Sequence, residues 1–407
     1  MLSIDIVGLT GACSYALDCI EAELVNIKNK HGKRVAYISI RMAEYWKIQG
    51  EALQDLAMCA LLHDNALTQY ISEELKKDSV IDLKKDLSEE KTNLHCIYGE
   101  KNITKLPFKT DVTNVILYHH EHADGTGPFQ KKWNEIPLFA RIIHLADIID
   151  IIRNSIDSDD NSWDFMCQYL SQNKDSLFDS ECVNAFLHVF TKESFMCLSD
   201  DSFETKLWEA IPREKLVFDW EMCKDVADFF AKIVDYKSSF TSRHSIGVAE
   251  KASMLAQYMG YDSITVQKMY LAGALHDIGK MAVGNEILEK PDKLTDDEFS
   301  KMKNHAGYTY LILSEVNDFE DPSAGILRGG GLSGDSRGGH FGDVPPDRAV
   351  QRRKRPTEKR RPHPASGAAG GAGKHEGGHR LGVRHLPSRR CAVFSHEPVH
   401  APAGSGR

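Results

Sequence analysis

The chain has 407 residues, a formal net charge of −9 and 42% hydrophobic side chains, a composition that allows two or three domains with buried cores. Nine cysteines without a Cys-x-x-Cys pair indicate neither a disulfide framework nor a thiolate zinc site. The start of the chain lacks a basic leader, and no later apolar run is long enough to cross a bilayer, so we expect a cytoplasmic protein without a membrane partner.

Apolar side chains recur at intervals of three and four residues in three segments, which are residues 34–48, 51–63 and 136–153. This period is that of a helix with one buried face, whereas the alternating pattern of strands is scarce in this chain. The sequence therefore predicts an all-α fold.

Side chains of the metal-ligand types follow one another through the first part of the chain, and they are His31, His63, Asp64, His95, His119, His120 and Asp147. Imidazole and carboxylate groups are ligands that divalent iron, manganese and zinc accept. Seven such groups exceed the needs of one ion. We therefore expect two adjacent divalent ions, with a single ion as the alternative.

Each of these motifs also has an ordinary structural explanation. A His-Asp dipeptide is common on helix surfaces, and a buried aspartate such as Asp147 pairs equally well with a neighbouring arginine, for example Arg141. The adjacent His119 and His120 are harder to explain as packing, because neighbouring imidazoles cannot share one helix face. The complete series, in this order, favours a metal centre.

A second, partial copy of the series begins near residue 221, beyond a helical connector that we predict at residues 156–220. Its members are His244, His276, Asp277 and His305. The first two histidines are 32 residues apart in both copies. Such agreement indicates an internal duplication of one helical unit.

At these residues the chain resembles the HD phosphohydrolases. The segment LHDIGK at residues 275–280 is similar to the family signature, and HHEHADGTGP at residues 119–128 is similar to the motif that names the HD-GYP branch. The resemblance implies all-helical HD domains in tandem. It also implies two or three iron or manganese ions and the hydrolysis of a cyclic dinucleotide, above all cyclic di-GMP.

The resemblance further implies roles for individual residues. The seven side chains of the first copy would be metal ligands, and Asp64 would bridge two ions and act in catalysis. Lys280 would contact a substrate phosphate. The second copy would contribute its own ligands, which are His244, His276, Asp277 and His305.

The first copy departs from the family pattern in two places. Leu67 stands where Lys280 stands in the second copy, and the tyrosine expected after Gly127 is missing, since Pro128 follows directly. These changes leave open a metal-bound regulatory protein with weak catalysis. An HD hydrolase for another phosphate ester, such as a mononucleotide, is a third interpretation.

The composition changes abruptly after residue 321. Residues 322–407 hold 16 Lys and Arg against 6 Asp and Glu, and they contain 17 of the 30 glycines. Too few apolar side chains are present to offset the entropy of ordering, so we expect a disordered tail. An arm that binds nucleic acid or a membrane surface is the functional alternative, since clustered arginines bind phosphates. A reading-frame change or a fused foreign sequence explains the abrupt change better, so we expect no nucleic-acid partner.

The second copy, residues 221–321, accordingly lacks about half of the family's ligands, because no His-His-Glu segment and no final aspartate follow. We expect it to hold no catalytic pair of ions and to expose apolar faces, which would cause poor solubility or formation of a homodimer. The first copy, residues 1–155, has the complete ligand set. The predicted function is therefore a metal-dependent phosphodiesterase that acts through the first copy.

Overall fold

The computed structural model describes residues 2–25, 30–73, 89–155, 161–237, 244–314 and 316. These residues are largely helical, which confirms the predicted all-α fold with two helical copies in tandem. No helix in this part of the chain is long and apolar enough to cross a membrane. The predicted tail, residues 322–407, lies outside the described residues.

Helix α2 lies at the centre of the first copy. The helices of this copy are α1 (Ile6–Val25), α2 (His31–Ala43), α3 (Gly50–Leu61), α4 (Leu67–Glu73), α5 (Glu89–Ile103) and α6 (Leu138–Ser155). Helix α2 contacts α1, α3 and α6, and nearly every side chain on it is buried. Its two buried cations are paired, Lys33 with Glu204 and Arg34 with Asp150. Paired in this way, the charges can stay inside the bundle.

The segment predicted as a connector packs against the first copy. Its helices are α7 (Ser162–Gln172), α8 (Ser180–Val189), α9 (Lys192–Met196) and α10 (Ser202–Ala210). Helices α8 and α10 contact α2, and α7 and α8 contact α6. Phe203 of α10 lies beside Tyr37 of α2, with the ring centroids 6.0 Å apart. These helices therefore form an outer layer around α2.

The second copy is built around the pair α12 and α13. Its elements are α11 (Trp220–Lys237), α12 (His244–Tyr258), α13 (Ser263–Leu275), a 3-10 turn (Ile278–Ala282), α14 (Asn285–Leu288), α15 (Asp296–Lys303) and α16 (His305–Ser314). Helices α12 and α13 approach closely at Gly273, where a Cβ atom would lie 2.6 Å from the Cα atom of Ala249. The side chain of Asp262 caps α13 by accepting hydrogen bonds from two backbone amides of its first turn.

Helix α1 connects the two copies. It contacts α2 and α3 of the first copy, and also the 3-10 turn and α16 of the second. The strand before it, β1 (Leu2–Ile4), pairs antiparallel with β2 (Leu216–Phe218), with Ser3 opposite Val217. The beginning of the chain is thereby anchored next to the second copy.

Candidate metal centre

The seven side chains predicted as metal ligands converge from separate parts of the first copy. His31 is the first residue of α2, His63 and Asp64 lie in the turn after α3, His95 is on α5, His119 and His120 end a turn segment at residues 113–120, and Asp147 is on α6. Five of the seven side chains are buried. The fold therefore brings together polar groups that are far apart along the chain.

Two groups of potential ligand atoms form where these side chains meet. In the first group, the ligand atoms of His31, His63 and Asp147 all lie within 4.8 Å of one another. The Asp147 Oδ1 atom is 3.2 Å from His31 Nε2 and 3.9 Å from His63 Nε2. The second group consists of His95, Cys96, His119 and His120, and its ligand atoms also lie within 4.8 Å of one another.

The carboxylate of Asp64 lies between the two groups. Its Oδ2 atom is 3.5 Å from His63 Nε2 of the first group. Its Oδ1 atom is 3.3 Å from His95 Nε2 and 3.6 Å from His119 Nε2 of the second group. Each oxygen therefore faces a different set of imidazoles, as is needed for one carboxylate to bridge two ions.

Backbone carbonyls fix the orientation of two of the histidines. The Nδ1 atom of His63 is 2.8 Å from the Ala60 carbonyl oxygen, and that of His119 is 2.6 Å from the Ile116 carbonyl oxygen. Since a carbonyl oxygen only accepts hydrogen bonds, each Nδ1 atom carries the proton. Each Nε2 atom then presents its lone pair to the centre, which is the orientation of a metal-binding histidine.

A buried network around Asp150 fixes His31. The Asp150 Oδ2 atom is 2.8 Å from His31 Nδ1. Its Oδ1 atom accepts hydrogen bonds from Arg34 Nε at 2.7 Å and from Arg153 Nη2 at 2.9 Å. Burial opposes ionisation of Asp150, but the hydrogen bond from His31 and the charge of Arg34 outweigh it and hold its pKa well below the usual range. The ionised carboxylate thus holds the His31 ring with Nε2 towards Asp147.

Several buried polar atoms of the centre make no hydrogen bond within the described residues, and they are His63 Nε2, Asp64 Oδ1, His95 Nδ1, His119 Nε2 and His144 Nε2. A buried polar atom without a partner costs about 1–3 kcal/mol, so a cluster of such atoms needs a physical explanation. Divalent cations satisfy imidazole and carboxylate lone pairs together, and this set of donors suits iron, manganese or zinc. The residues present therefore fit a metal centre.

The electrostatics of His63, His120 and Asp64 favour the protonation states that bind metal. Burial lowers the pKa of His63 and holds that of His120 well below its usual value, so both rings stay neutral. Burial opposes ionisation of Asp64, but the neighbouring histidines, His63 foremost, outweigh it and hold its pKa well below the usual range. Neutral imidazoles beside an ionised carboxylate are the forms in which these groups bind a metal.

The second group attracts positive charge. Burial opposes protonation of His95, but Cys96 and Asp64 outweigh it and raise the pKa of His95 to about 10. The same two neighbours raise the pKa of His119 well above its usual value, again against the effect of burial. In the metal-free protein, protons on His95 and His119 balance the negative charge of Cys96 and Asp64. A bound divalent cation would supply this positive charge instead.

Two glutamates hold the segment that carries His119 and His120. The Glu100 carboxylate accepts hydrogen bonds from the amides of Ile116 at 3.1 Å and Leu117 at 3.0 Å. Glu121 accepts from two amides of the following turn, each at 2.5 Å. Within that turn Gly125 has a φ of +84°, a conformation that L-amino acids with side chains rarely adopt. The glycine-rich segment noted in the sequence therefore supports the histidine pair.

In the second copy His244, His276 and His305 lie around Asp277. The Asp277 Oδ2 atom is 3.1 Å from His276 Nε2 and accepts a hydrogen bond from Lys280 Nζ at 2.6 Å. The three histidine side chains are 26–50% exposed, against at most 3% for their counterparts in the first copy. The described residues of the second copy contain no His-His pair and no final-helix aspartate to cover this cluster.

Sequence reasoning missed two side chains at the centre. The Cys96 Sγ atom is 3.4 Å from His95 Nε2, although the scattered cysteines indicated no thiolate site. The His144 ring is buried on α6, with Nδ1 3.0 Å from the His119 carbonyl oxygen, and burial lowers its pKa to about 4. The sequence signal that could have identified Cys96 is its position directly after His95, a predicted ligand. No comparable sequence signal identifies His144, although it lies on the same helix as Asp147.

The ion pair suggested above as an alternative for Asp147 is wrong. Arg141 does not neutralise Asp147, because its guanidinium pairs with Asp179 at the start of α8. Asp147 instead lies beside the imidazoles of His31 and His63. Its position beside two imidazoles favours the interpretation that a metal ion binds there.

A helical bundle that holds a His-Asp pair among further histidines, in two copies along one chain, is the architecture of a tandem HD-type protein. HD domain family models match residues 19–182 and residues 241–329. The two matches together span more than half of the chain, and this chain belongs to the HD phosphohydrolase family. The first match continues past residue 155 into the helices that pack on α2 and α6.

The relatives that match over long alignments are phosphodiesterases. The chain is 27% identical over 321 residues to the 3′3′-cGAMP-specific phosphodiesterase 1 of Vibrio cholerae, covering 74% of this chain and 69% of that protein. It is 29% identical to the 3′3′-cGAMP-specific phosphodiesterase 3 of the same organism, covering 58% of this chain and about half, 51%, of that protein. A cyclic di-GMP phosphodiesterase of Thermotoga maritima is 34% identical over 23% of this chain and 25% of its own length.

One solved structure resembles the chain over most of its length. It is the crystal structure of a cyclic GMP-AMP-specific phosphodiesterase from V. cholerae, with a TM-score of 0.59 and 25% sequence identity. The match covers 77% of this chain and 80% of that one. The structural likeness therefore extends over both HD domains and agrees with the family assignment.

Proposed function

We propose that this protein is a metal-dependent phosphodiesterase that hydrolyses a phosphodiester bond of a cyclic dinucleotide at the metal centre of its first HD domain. The observation that carries the proposal is the Asp64 carboxylate, whose two oxygens face separate groups of imidazoles at 3.3–3.6 Å. A carboxylate in this position suits a pair of ions. Paired ions are a common arrangement for in-line hydrolysis of phosphate esters.

The ligands divide between two ion positions. One position would use His31, His63 and Asp147, the other would use His95, His119 and His120, and both would share Asp64. When bound, iron or manganese ions supply Lewis acidity that activates water and neutralises charge on the phosphoryl oxygens. The protein's own part is to hold neutral imidazoles and ionised carboxylates in place, through the carbonyl hydrogen bonds and the Asp150 network.

Two lysines near the centre support the binding of an anionic substrate. Lys131 and Lys132 follow the turn that supports the histidine pair, and their side chains reach solvent. The Lys131 Nζ atom is 3.4 Å from Glu135 Oε1. An exposed pair of this kind contributes at most about 1 kcal/mol, so it leaves the ammonium free to attract phosphate. We assign both lysines to attraction of the dinucleotide.

Within the substrate class, the relatives favour 3′3′-cGAMP. The sequence motifs alone favoured cyclic di-GMP. However, two relatives that align over more than half of this chain are 3′3′-cGAMP-specific, whereas the T. maritima cyclic di-GMP phosphodiesterase aligns over 23% of it. The long alignments include helices outside the proposed metal ligands, so they compare more of the fold than the short alignment does. We therefore rank 3′3′-cGAMP first and cyclic di-GMP second.

A metal-bound regulatory protein with weak catalysis is the second candidate, and Leu67 favours it. Leu67 begins α4, three residues after Asp64, at the place where the second copy has Lys280. Without an ammonium there, the substrate phosphate loses a contact. If that contact strengthens in the transition state, turnover falls more than binding. Such a protein would bind the dinucleotide and respond to it with little hydrolysis.

Turnover assays on the purified full-length chain distinguish these candidates. The protein is stripped of metal, reloaded with manganese or iron(II), and incubated with 3′3′-cGAMP, cyclic di-GMP and a set of mononucleotides. A linear dinucleotide product on chromatography supports the phosphodiesterase, and calorimetric binding without product supports the regulator. Turnover of mononucleotides alone, or undiminished turnover by metal-free protein, would overturn the proposal.

A further inference from the structure

We propose that the thiolate of Cys96 is a ligand at the second ion position of the first HD domain, next to His95 and His119. A sulfur ligand would make this position select softer divalent ions, such as zinc or iron(II), over manganese. The inference rests on the proposed function, because it adds a ligand to the same metal centre. It goes beyond that function by defining which kind of ion the second position takes.

The separations between the donor atoms are those expected around one ion. Cys96 follows His95 on α5, and its Sγ atom is 3.4 Å from His95 Nε2. That nitrogen is in turn 3.3 Å from Asp64 Oδ1. Around a tetrahedral ion with metal–sulfur bonds of about 2.3 Å and metal–nitrogen bonds of about 2.0–2.1 Å, neighbouring donor atoms lie about 3.3–3.6 Å apart. The sulfur therefore lies at a separation from His95 Nε2 that suits two ligands of one ion, and it would join His95, His119, His120 and Asp64 at this position.

His119 provides an independent sign of a bound cation at this position. Its side chain is 0% exposed, and its Nε2 atom makes no hydrogen bond within the described residues while lying 3.6 Å from Asp64 Oδ1. Its other ring nitrogen is already engaged by the Ile116 carbonyl. A fully buried nitrogen that faces a carboxylate and other donors is left without a partner unless a proton or a metal ion lies between them.

Other buried cysteines in the described residues behave as ordinary core side chains. Cys13 and Cys59 belong to the apolar core, whereas Cys96 is equally buried but lies outside it, among histidines. A buried free cysteine normally acts as a small hydrophobic residue, so its placement in a polar cluster needs a reason. In the second copy, alanine follows the corresponding histidine, as Ala306 after His305. The thiol is thus a feature of the copy with the complete ligand set.

Cobalt(II) substitution tests sulfur ligation directly. The full-length chain is stripped of metal, reduced, and titrated with two equivalents of cobalt(II). A near-ultraviolet sulfur-to-cobalt charge-transfer band is expected in the natural protein and in the control Cys167→Ser, which changes a partly exposed thiol on α7. The band should be lost in Cys96→Ser, while the visible d–d bands persist because the histidines remain. Zinc affinity of that variant should fall by at least about 10–100-fold in chelator competition.

A second variant and a second measurement distinguish loss of the sulfur ligand from loss of folding. Cys96→Ala introduces the side chain that follows His305 in the second copy, and circular dichroism checks its helix content. X-ray absorption of the natural protein loaded with zinc should show a sulfur neighbour at about 2.3 Å and needs no variant. A charge-transfer band that persists in both Cys96 variants, or zinc without a sulfur neighbour, would overturn the inference and leave the proposed function intact. A natural protein that binds neither cobalt nor zinc would overturn both.

Discussion

The histidines proposed as metal ligands in the first HD domain are buried, while their counterparts in the second HD domain reach solvent. His31, His63 and His95 have side chains that are at most 3% exposed, against 26–50% in the second domain. In the first domain, α6 and residues 113–130 lie over the cluster, and the described part of the second domain has no equivalent of either. The His-Asp cluster therefore forms in the second domain without equivalents of α6 and residues 113–130. Burial of its histidines requires those elements.

The two aspartates at the centre of these clusters have different partners. Asp277 accepts a hydrogen bond from Lys280 at 2.6 Å, so a side-chain cation neutralises it. Asp64 has Leu67 at the corresponding position, and its Oδ1 atom makes no hydrogen bond within the described residues. Asp64 therefore has imidazoles as neighbours where Asp277 has a lysine, and this difference agrees with the proposal that the first domain binds the metal ions.

Removal of the shared carboxylate should produce the largest difference between the domains. Asp64→Ala is expected to lower kcat/KM for the cyclic dinucleotide by at least about 10²–10³-fold, the loss caused by removing one group that stabilises transition-state charge. The matched variant Asp277→Ala should retain its turnover. Product formation measured by chromatography checks both. Equal losses in the two variants would contradict the assignment of catalysis to the first domain.

The buried network behind His31 should affect both stability and metal binding. Asp150→Asn leaves Arg34 and Arg153 buried without a full counter-charge, which is expected to cost about 3–5 kcal/mol in the free energy of unfolding. Because Asp150 also orients His31, metal affinity should fall by about 10–100-fold. The exposed control Asp175→Asn should stay within about 0.5 kcal/mol. Urea denaturation and metal titration measure the two effects, and an unchanged metal affinity would limit Asp150 to a structural role.

Giving the first domain the lysine of the second should improve substrate binding. Leu67→Lys is expected to lower KM by up to about fivefold, which corresponds to about 1 kcal/mol from one partly exposed ionic contact. Leu67→Met, which adds no charge, is the matched control. Steady-state kinetics with the preferred dinucleotide measures the change. If both variants had the KM of the natural protein, the absent lysine would not explain weak catalysis.

The smallest expected difference is in proton binding by the metal-free protein. A hydrogen bond with Asp277 outweighs burial and raises the pKa of His276, whereas burial lowers the pKa of His63. Protonated His276 should therefore stabilise the fold at low pH, and this contribution is lost as pH rises through its raised pKa. His63 acts in the opposite sense, since stability falls as pH drops below the ordinary value of about 6.5. NMR titration checks both rings, and a higher midpoint for His63 than for His276 would contradict the comparison.

Much of the candidate metal centre in the first domain could be predicted from the sequence because the side chains proposed as its ligands lie in short motifs. His63 with Asp64 and His119 with His120 are adjacent pairs, and the helical period predicted the elements around them. Cys96 could not be predicted, because a single cysteine has no spacing pattern and is most often a core residue. Whether a cysteine is a core residue or a candidate ligand depends on which distant side chains lie beside it in the folded protein.

Contacts between distant segments were also beyond the sequence. The short helices at residues 162–210 have apolar faces, but the pattern does not show that α8 and α10 pack on α2. For the same reason the sequence suggested Arg141 as a partner for Asp147, six residues away. In the structure Arg141 pairs instead with Asp179 at the start of α8. Periodicity identifies a buried face, whereas the identity of its partner depends on tertiary packing.

Metal content tests the shared role of Asp64 most directly. The natural protein, Asp64→Ala and Asp277→Ala are equilibrated with zinc or manganese, freed of excess metal by gel filtration, and analysed by mass spectrometry for ions per chain. The proposed centre predicts two ions per chain in the natural protein and in Asp277→Ala, and loss of metal in Asp64→Ala. A metal content in Asp64→Ala equal to that of the natural protein would contradict the proposal that this carboxylate joins two ion positions.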